Sequence, residues 1–331
     1  MKLIIDLLGT DLGPKEVVLG VINSLKNTNL NYILVGPEQI ARETIKEKNA
    51  DIHRFEFIDT NVFIKNEEDP ARTLRKKKDA SLVLGLNRLN EEGDGFLSGG
   101  STGALLAGGL FITKRIGNIK RATLMAPVPN VKGGVTLLAD TGAVVDTTAE
   151  MLSQFASLAS IVARDYLGKS NPKVYLLNVG TEEGKGDLRS KEAYNLIKEN
   201  DKLNFMGNIE AREFLSGEAD VIVADGFSGN VMLKSTEGAL GFVFSELKSS
   251  LMSSLKTKIG GFFIKSSLSE FKDKYDYKKV GAGMLVGVNK PLFKAHGNSD
   301  RIAIEHAIYQ AEKFLEGNII ESIKKEFNDE V

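Results

Sequence analysis

Short continuous apolar runs alternate along this chain with longer stretches of helical period. Leu3–Ile5, Tyr32–Val35, Phe55–Ile58, Val174–Leu177 and Val221–Ala224 are brief, rich in β-forming residues and closed by Gly, Asn or Asp, which predicts strands. Runs without polar alternation belong inside a sheet covered on both faces. Between them Met151, Phe155, Leu158, Val162 and Tyr166 recur at helical spacing, the mark of a helix burying one stripe. Strand–helix alternation predicts an α/β fold, a largely parallel, doubly wound sheet with helices on both sides. Residues 117–147 interrupt the pattern with Pro127, Pro129, Gly133, Gly134 and Gly142, so a reversal or excursion of the sheet is expected there. No linker, fixed-period repeat or low-complexity tract divides the chain. A single domain over 1–331 is the expectation, with a helical projection at about 240–280.

Composition narrows the function. At 331 residues, with 42% hydrophobic and 26% charged, the chain can bury a sizeable core. Lys and Arg number 43 against 44 Asp and Glu, so no global field holds a polyanion and nucleic acid is not an expected partner. The absence of cysteine removes disulfides, thiolate metal sites and cysteine nucleophiles together. Asp6 falls where a signal peptide needs its apolar middle, and no run reaches the roughly 18 apolar residues of a membrane span. A cytoplasmic enzyme is expected. No His or carboxylate cluster has zinc spacing, so neither a metal nor another cofactor is expected.

Candidate chemistry collects in glycine-rich segments between strands and helices, which in a parallel sheet share one edge, where ligands bind. The first is Asp6-Leu7-Leu8-Gly9-Thr10-Asp11-Leu12-Gly13-Pro14; the second is Ser98-Gly99-Gly100-Ser101-Thr102-Gly103-Ala104. In the second, glycines let backbone N–H groups approach an anion and hydroxyls add donors, which suits phosphate. A glycine turn that only permits tight packing is the competing reading. Neither segment carries a Walker A string or the dinucleotide G-x-G-x-x-G, so ATP and NAD lose support. A third cluster, Gly180–Gly186, places Lys185 between glycines, where it can neutralise a phosphate or simply stand solvated. The fourth, Asp225-Gly226-Phe227-Ser228-Gly229-Asn230, predicts a helix capped by Ser228 or Gly229 and offers the Asn230 amide to an oxyanion.

Of three histidines, His53 and His306 read as surface or packing residues, whereas His296 opens Ala295-His296-Gly297-Asn298-Ser299-Asp300 before a helix capped by Ser299 or Asp300. An imidazole there can serve as acid, base or phosphate ligand, or as a satisfied structural histidine. A last segment, Leu247 to Phe271, is helical in period but apolar where exposure is expected, at Ile259, Phe262, Phe263 and Ile264. Between 246 and 279 there are eight Lys against four Asp and Glu. Apolar residues with basic flanks suit an anionic membrane surface, while a hairpin buried in a homodimer accounts for the same pattern.

In this order the clusters resemble the PlsX family, the acyl-acyl-carrier-protein:phosphate acyltransferases of bacterial phospholipid synthesis, over nearly the whole chain. The family's Asp-Ala-Met-Gly-Gly-Asp opening is similar to Asp6–Asp11, and its Ser-Ala-Gly-Asn-Thr-Gly-Ala loop to Ser98–Ala104. Further matches are Leu177–Gly180 with Glu183–Gly186, Asn204–Glu210, Asp225–Asn230 and, against His-Gly-Ser-Ser-Asp, His296–Asp300. Thr10 stands where the family has Gly and Ser101 where it has Asn.

The resemblance implies an isopropylmalate dehydrogenase-like α/β/α fold, related also to phosphotransacetylase, and a homodimer whose projecting helices touch the membrane surface. It implies transfer of a fatty acyl group from acyl-acyl-carrier protein to inorganic phosphate, the acyl phosphate passing to a glycerol-3-phosphate acyltransferase. Phosphate is itself the nucleophile, so a chain without cysteine loses nothing. His296, Asn230 and Lys185 are then the catalytic candidates. Asp6, Gly9, Asp11, Ser98, Gly100, Ser101, Thr102, Gly103, Asp225, Ser228 and Gly229 are the substrate-binding ones, and Ile259, Phe262, Phe263 and Ile264 the membrane contacts. Carrier proteins are acidic, so Arg72, Arg75, Lys76, Lys77 and Lys78, or the lysines near 256–279, are docking candidates. Three alternatives stay open: an acyl-CoA-dependent phosphotransacetylase-like enzyme, a relative of the α subunit of glycine reductase component C, which the lack of cysteine disfavours, and a non-catalytic membrane scaffold.

Overall fold

The computed structural model describes residues 1–275 and 281–328. In chain order the strands are β1 (Lys2–Asp6), β2 (Asn31–Gly36), β3 (Phe55–Asp59), β4 (Gly95–Ser98), β5 (Thr123–Pro129), β6 (Val135–Ala139), β7 (Lys173–Leu177), β8 (Asn204–Ile209), β9 (Val221–Val223), β10 (Gly283–Val286) and β11 (Leu292–Lys294). The helices are α1 (Pro14–Ser24), α2 (Glu38–Glu47), α3 (Pro70–Lys76), α4 (Ser81–Glu91), α5 (Thr102–Gly108), α6 (Ala149–Asp165), α7 (Leu188–Lys198), α8 (Gly226–Met252), α9 (Leu255–Lys274), α10 (Arg301–Glu316) and α11 (Ile319–Asn328).

The strands form one sheet in the order β3-β2-β1-β4-β11-β10-β5-β6-β9-β7-β8. The five apolar runs all lie in it, as their composition requires. Alternate residues of β1 enter two different cores: Leu3 and Ile5 join the large cluster with α1, α6 and α10, while Ile4 joins a second with α4 and α5. A period of two with both faces covered is the α/β/α sandwich expected from the pattern.

The sheet is mixed, and this corrects the expectation of a single ligand edge. β3, β2, β1, β4 and β11 are mutually parallel. So are β6, β9, β7 and β8. Between the two sets, β10 and β5 are each antiparallel to both neighbours, and β5 turns directly into antiparallel β6. This is the reversal signalled by the prolines and glycines of 117–147. Its consequence is that the two parallel sets run in opposite directions. Loops leaving β1, β4 and β11 emerge at one edge of the sheet, here the first edge. Loops leaving β6, β7 and β9 emerge at the other, the second edge.

α8 joins the edges. It starts at the second edge, where Asp225 accepts the Ser228 N–H at 2.9 Å, so Asp225 is the cap and the expected Ser228 or Gly229 lies inside the helix. A carboxylate cap of this kind stabilises a helix by about 1 kcal/mol. At 1.5 Å per residue, its 27 residues carry α8 past the first edge, where it folds back as α9. The helical projection is thus a hairpin of two helices divided at Ser253, with Ser254 and Thr257 capping α9 reciprocally. The turn of this hairpin is at Ser253–Ser254. Ile259, Phe262, Phe263 and Ile264 occupy the first turns of α9 and are 55%, 74%, 76% and 46% exposed. Among the described residues no helix is long and apolar enough to cross a membrane. Lys278 and Lys279 of the basic set lie outside the described residues.

Candidate active site

Three loops converge at the first edge. Asp6, Ser98 and Lys294 stand side by side on β1, β4 and β11 and, by the period of two, on one face. The Ser98 hydroxyl donates to Asp6 at 2.8 Å and accepts the Gly100 N–H at 3.1 Å; Asp6 also accepts the Leu8 N–H at 3.1 Å. The Asp11 N–H reaches the Gly297 carbonyl at 2.8 Å, binding the first loop to the third. Gly9 is obligatory here: its φ is +82°, and a Cβ would lie 2.7 Å from the Gly100 Cα. Thr10 uses the space a glycine leaves, since its methyl would meet a Cβ on Gly99 at 2.4 Å. Ser101 caps α5 by accepting the Ala104 N–H at 3.4 Å, with Thr102 and Gly103 in the first turn.

The titratable groups here are shifted by burial and by one another. Burial raises the Asp6 carboxyl to about 6, against the hydrogen bonds from serine hydroxyls and the charge of Lys294. Burial lowers Lys294 to about 8, against the charges of Asp6 and Asp11. His296 is pushed below the ordinary histidine value by burial and by the Lys234 and Lys294 charges, with Glu237 opposing, so a neutral imidazole is favoured near pH 7. Its Nε2 lies 3.9 Å from Glu237, which pairs with Lys234 at 2.7 Å.

An apolar cleft of about 920 Å³ opens beside this cluster. It runs from His296 and Glu237, past Val128 on β5 and Leu233 on α8, between the two arms of the hairpin to Leu251 and Leu268. Its volume is near the upper end for small-molecule sites, and its lining suits a long aliphatic group.

The remaining candidates gather at the second edge. Asp225 accepts the Ser228 hydroxyl at 2.9 Å and pairs with Arg189 at 3.1 Å. Gly229 sits so close to Asp140 that a Cβ would be 1.9 Å from its carbonyl oxygen. Asn230 donates from Nδ2 to the Thr141 carbonyl at 3.1 Å, which leaves one of its two amide hydrogens for another acceptor. Lys185 is exposed on the β7–α7 loop, its stem against Gly180. The structure thus brings together Asp6, Gly9, Asp11, Ser98, Gly100, Ser101, Thr102, Gly103 and His296, and separately Asp225, Ser228, Gly229 and Asn230, with Lys185 on that same edge. Asn230, Lys234 and Glu237 follow i, i+4, i+7 spacing on one stripe of α8, so seven residues, about 10 Å of rise, separate Asn230 from the first edge.

Sequence reasoning missed Lys294, Lys234, Glu237, Asp140 and Arg189. Two signals were present: a lysine ending an apolar strand two residues before His296, and charges at helical spacing from Asn230. Among the described residues no group of His, Asp and Glu could hold a metal ion.

Comparison with known proteins bears out the fold. A solved phosphotransacetylase from Streptococcus pyogenes superposes with a TM-score of 0.62 at 18% identity, covering 97% of this chain and 94% of that one. The EutD phosphotransacetylase of Staphylococcus aureus gives 0.60 at 17%, covering 96% and 94%. A 4-hydroxythreonine-4-phosphate dehydrogenase from Klebsiella pneumoniae gives 0.53 at 13%, covering 95% and 99%. At these identities the likeness is one of fold. The family model described as "Fatty acid synthesis protein" matches residues 1–322. A phosphate acyltransferase from Clostridioides difficile is 43% identical over 100% of this chain and 98% of its own, and one from Finegoldia magna 41% identical over 100% of both. The chain belongs to this family, the phosphate acyltransferases of fatty acid and phospholipid synthesis.

Proposed function

We propose that the acyl donor is fatty acyl-acyl-carrier protein and the acceptor inorganic phosphate, with the acyl chain in the apolar cleft and the thioester at its His296 end. The observation that carries this reading is an apolar cleft, long enough for an aliphatic chain, that opens at His296 on the edge where the Gly9 and Ser98–Gly103 loops meet. A phosphate oxygen attacks the thioester carbonyl carbon, the tetrahedral oxyanion collapses, the C–S bond breaks and the thiolate leaves. Neutral His296 takes the proton from phosphate and returns it to sulfur. Well-placed donors to the oxyanion contribute a few kcal/mol each.

Lys185 and Asn230 keep their proposed roles on phosphate and oxyanion through the second edge of a partner copy in a homodimer, laid against the first. The chain acts as one acyltransferase unit with the hairpin as its arm. Exposed Phe262 and Phe263, flanked by lysines, support peripheral attachment to an anionic membrane on the cytoplasmic side, where the acyl phosphate passes to a glycerol-3-phosphate acyltransferase.

The test is release of free thiol from palmitoyl-carrier protein with and without phosphate, beside palmitoyl-CoA at equal concentration. Phosphate-dependent release from the carrier protein is expected; release from CoA alone overturns the choice of donor, and release from neither overturns the activity. Sedimentation with anionic vesicles tests the arm, with Phe262→Ser/Phe263→Ser expected to stay in the supernatant.

A further inference from the structure

We propose that Lys294 is the positioning residue of the glycine loop, its ammonium fixing the Gly99–Gly100 peptide against which the acceptor phosphate binds. This rests on the placement of phosphate at the first edge. The Gly99 carbonyl and the Gly100 N–H belong to one peptide unit, and each is held by a different side chain. Lys294 Nζ donates to the Gly99 oxygen at 3.2 Å and to the Ala295 oxygen. Ser98 Oγ, itself anchored on buried Asp6, accepts the Gly100 N–H at 3.1 Å. A peptide plane gripped at both ends cannot rotate about its flanking bonds, which two adjacent glycines would otherwise permit.

The grip depends on charge. A charge-assisted hydrogen bond is about twice as strong as a neutral one, so the carbonyl is held firmly only by the ammonium. The charged groups around it are Asp6 on β1, Asp11 in the following loop, Lys234 on α8 and His296, which in turn faces Glu237. Lys234 favours loss of the proton; Asp6, Asp11 and an arriving phosphate dianion favour its retention. With burial bringing Lys294 to about 8, the grip loosens within an accessible alkaline range, and phosphate tightens it. A lysine of ordinary pKa would stay charged throughout that range.

The experiment has two arms. In steady-state turnover of palmitoyl-carrier protein, wild-type kcat/KM for phosphate should fall about tenfold per pH unit above roughly pH 8. Lys294→Met should lower it by about a hundredfold at pH 7 without that alkaline limb, leaving KM for the acyl donor within about threefold. Lys294→Met within threefold of wild type, or keeping the alkaline limb, overturns the proposal. The second arm needs no turnover. The Lys294 side-chain NMR signal, assigned with Lys294→Arg, should titrate near pH 8 and shift upward with inorganic phosphate; a midpoint near the ordinary lysine value, or one that phosphate leaves unmoved, overturns it. Wild-type thiol release that depends on phosphate keeps the function reading intact whichever way Lys294 falls.

Discussion

The two edges of the sheet are written in the same sequence grammar, an apolar strand, a glycine cluster and a capped helix, yet they are built differently. At the first edge the polar groups are inside: Asp6 is 3% exposed, Ser98 1%, and half-buried Lys294 stands next to Ser98. At the second edge the buried carboxylates Asp140 and Asp225 serve backbone N–H groups and a helix cap, Gly229 packs against Asp140 and Gly226 against Val144, and Lys185 and Asn230 face solvent. The first edge adjoins the cleft and has His296 in it; the second is tied to it only along one stripe of α8. A glycine cluster after a strand therefore marks a sheet edge, but strand direction and what is buried beneath decide whether it grips a ligand or seats a helix.

The largest effect expected from breaking this contrast is structural. Gly229→Ala places a methyl 1.9 Å from a backbone oxygen that cannot swing aside, and should cost about 3 kcal/mol in denaturant unfolding. Gly99→Ala clashes with the Thr10 side chain at 2.4 Å and meets the His296 carbonyl only at ordinary contact distance, 3.5 Å, so Thr10→Gly should restore most of its smaller loss. If Gly229→Ala unfolds like wild type, α8 is not seated as described.

Next come the catalytic differences. His296→Ala should retain its fold and lose about a hundredfold in kcat, the usual worth of a general acid–base. Mixing His296→Ala with Asn230→Ala copies should recover about a quarter of wild-type activity if the edges meet between the two copies of a symmetric dimer. No recovery places both residues on a path within one chain. A narrower cleft sharpens the comparison further: Leu233→Trp should cut turnover of the longest acyl chains about tenfold and spare short ones, which carrier proteins of graded chain length would reveal.

The smallest effect concerns what pins the third loop. Arg301 donates to Glu16 at 2.7 and 2.8 Å and holds that carboxyl below its ordinary range, at the start of α10 just behind His296–Asp300. A lowered carboxylate adds stability above its unfolded value that is lost as pH falls through the lowered one. Arg301→Gln should therefore reduce stability only slightly near pH 7, since the guanidinium is half exposed, and by progressively less below pH 4. Thermal melts across pH check this.

Much of this arrangement was legible beforehand, for identifiable reasons. The strands at Leu3, Tyr32, Phe55, Val174 and Val221 announced themselves because burial on both faces forbids polar alternation. The first-edge candidates stood out because glycine, serine and histidine after a strand mark a sheet edge, although the same pattern seats a helix at the second edge. Lys294 was passed over because one lysine at the end of an apolar run reads as a strand terminus until its neighbour is known to be Ser98, 196 positions earlier. Asp140 gave less sign still, since its role is to accept three backbone N–H groups from Leu124, Ala143 and Val144.

By itself the sequence determined the elements, the two-faced burial of the sheet, the family and the chemistry available without cysteine, since all of these follow from local pattern and residue type. Only the tertiary structure decided that the parallel sets oppose one another, which divides the candidates between two edges. It also placed Lys294 beside Asp6 and set the hairpin over a cleft ending at His296. Strand direction and long-range neighbours are properties of pairing across the sheet, and no short stretch of chain encodes them.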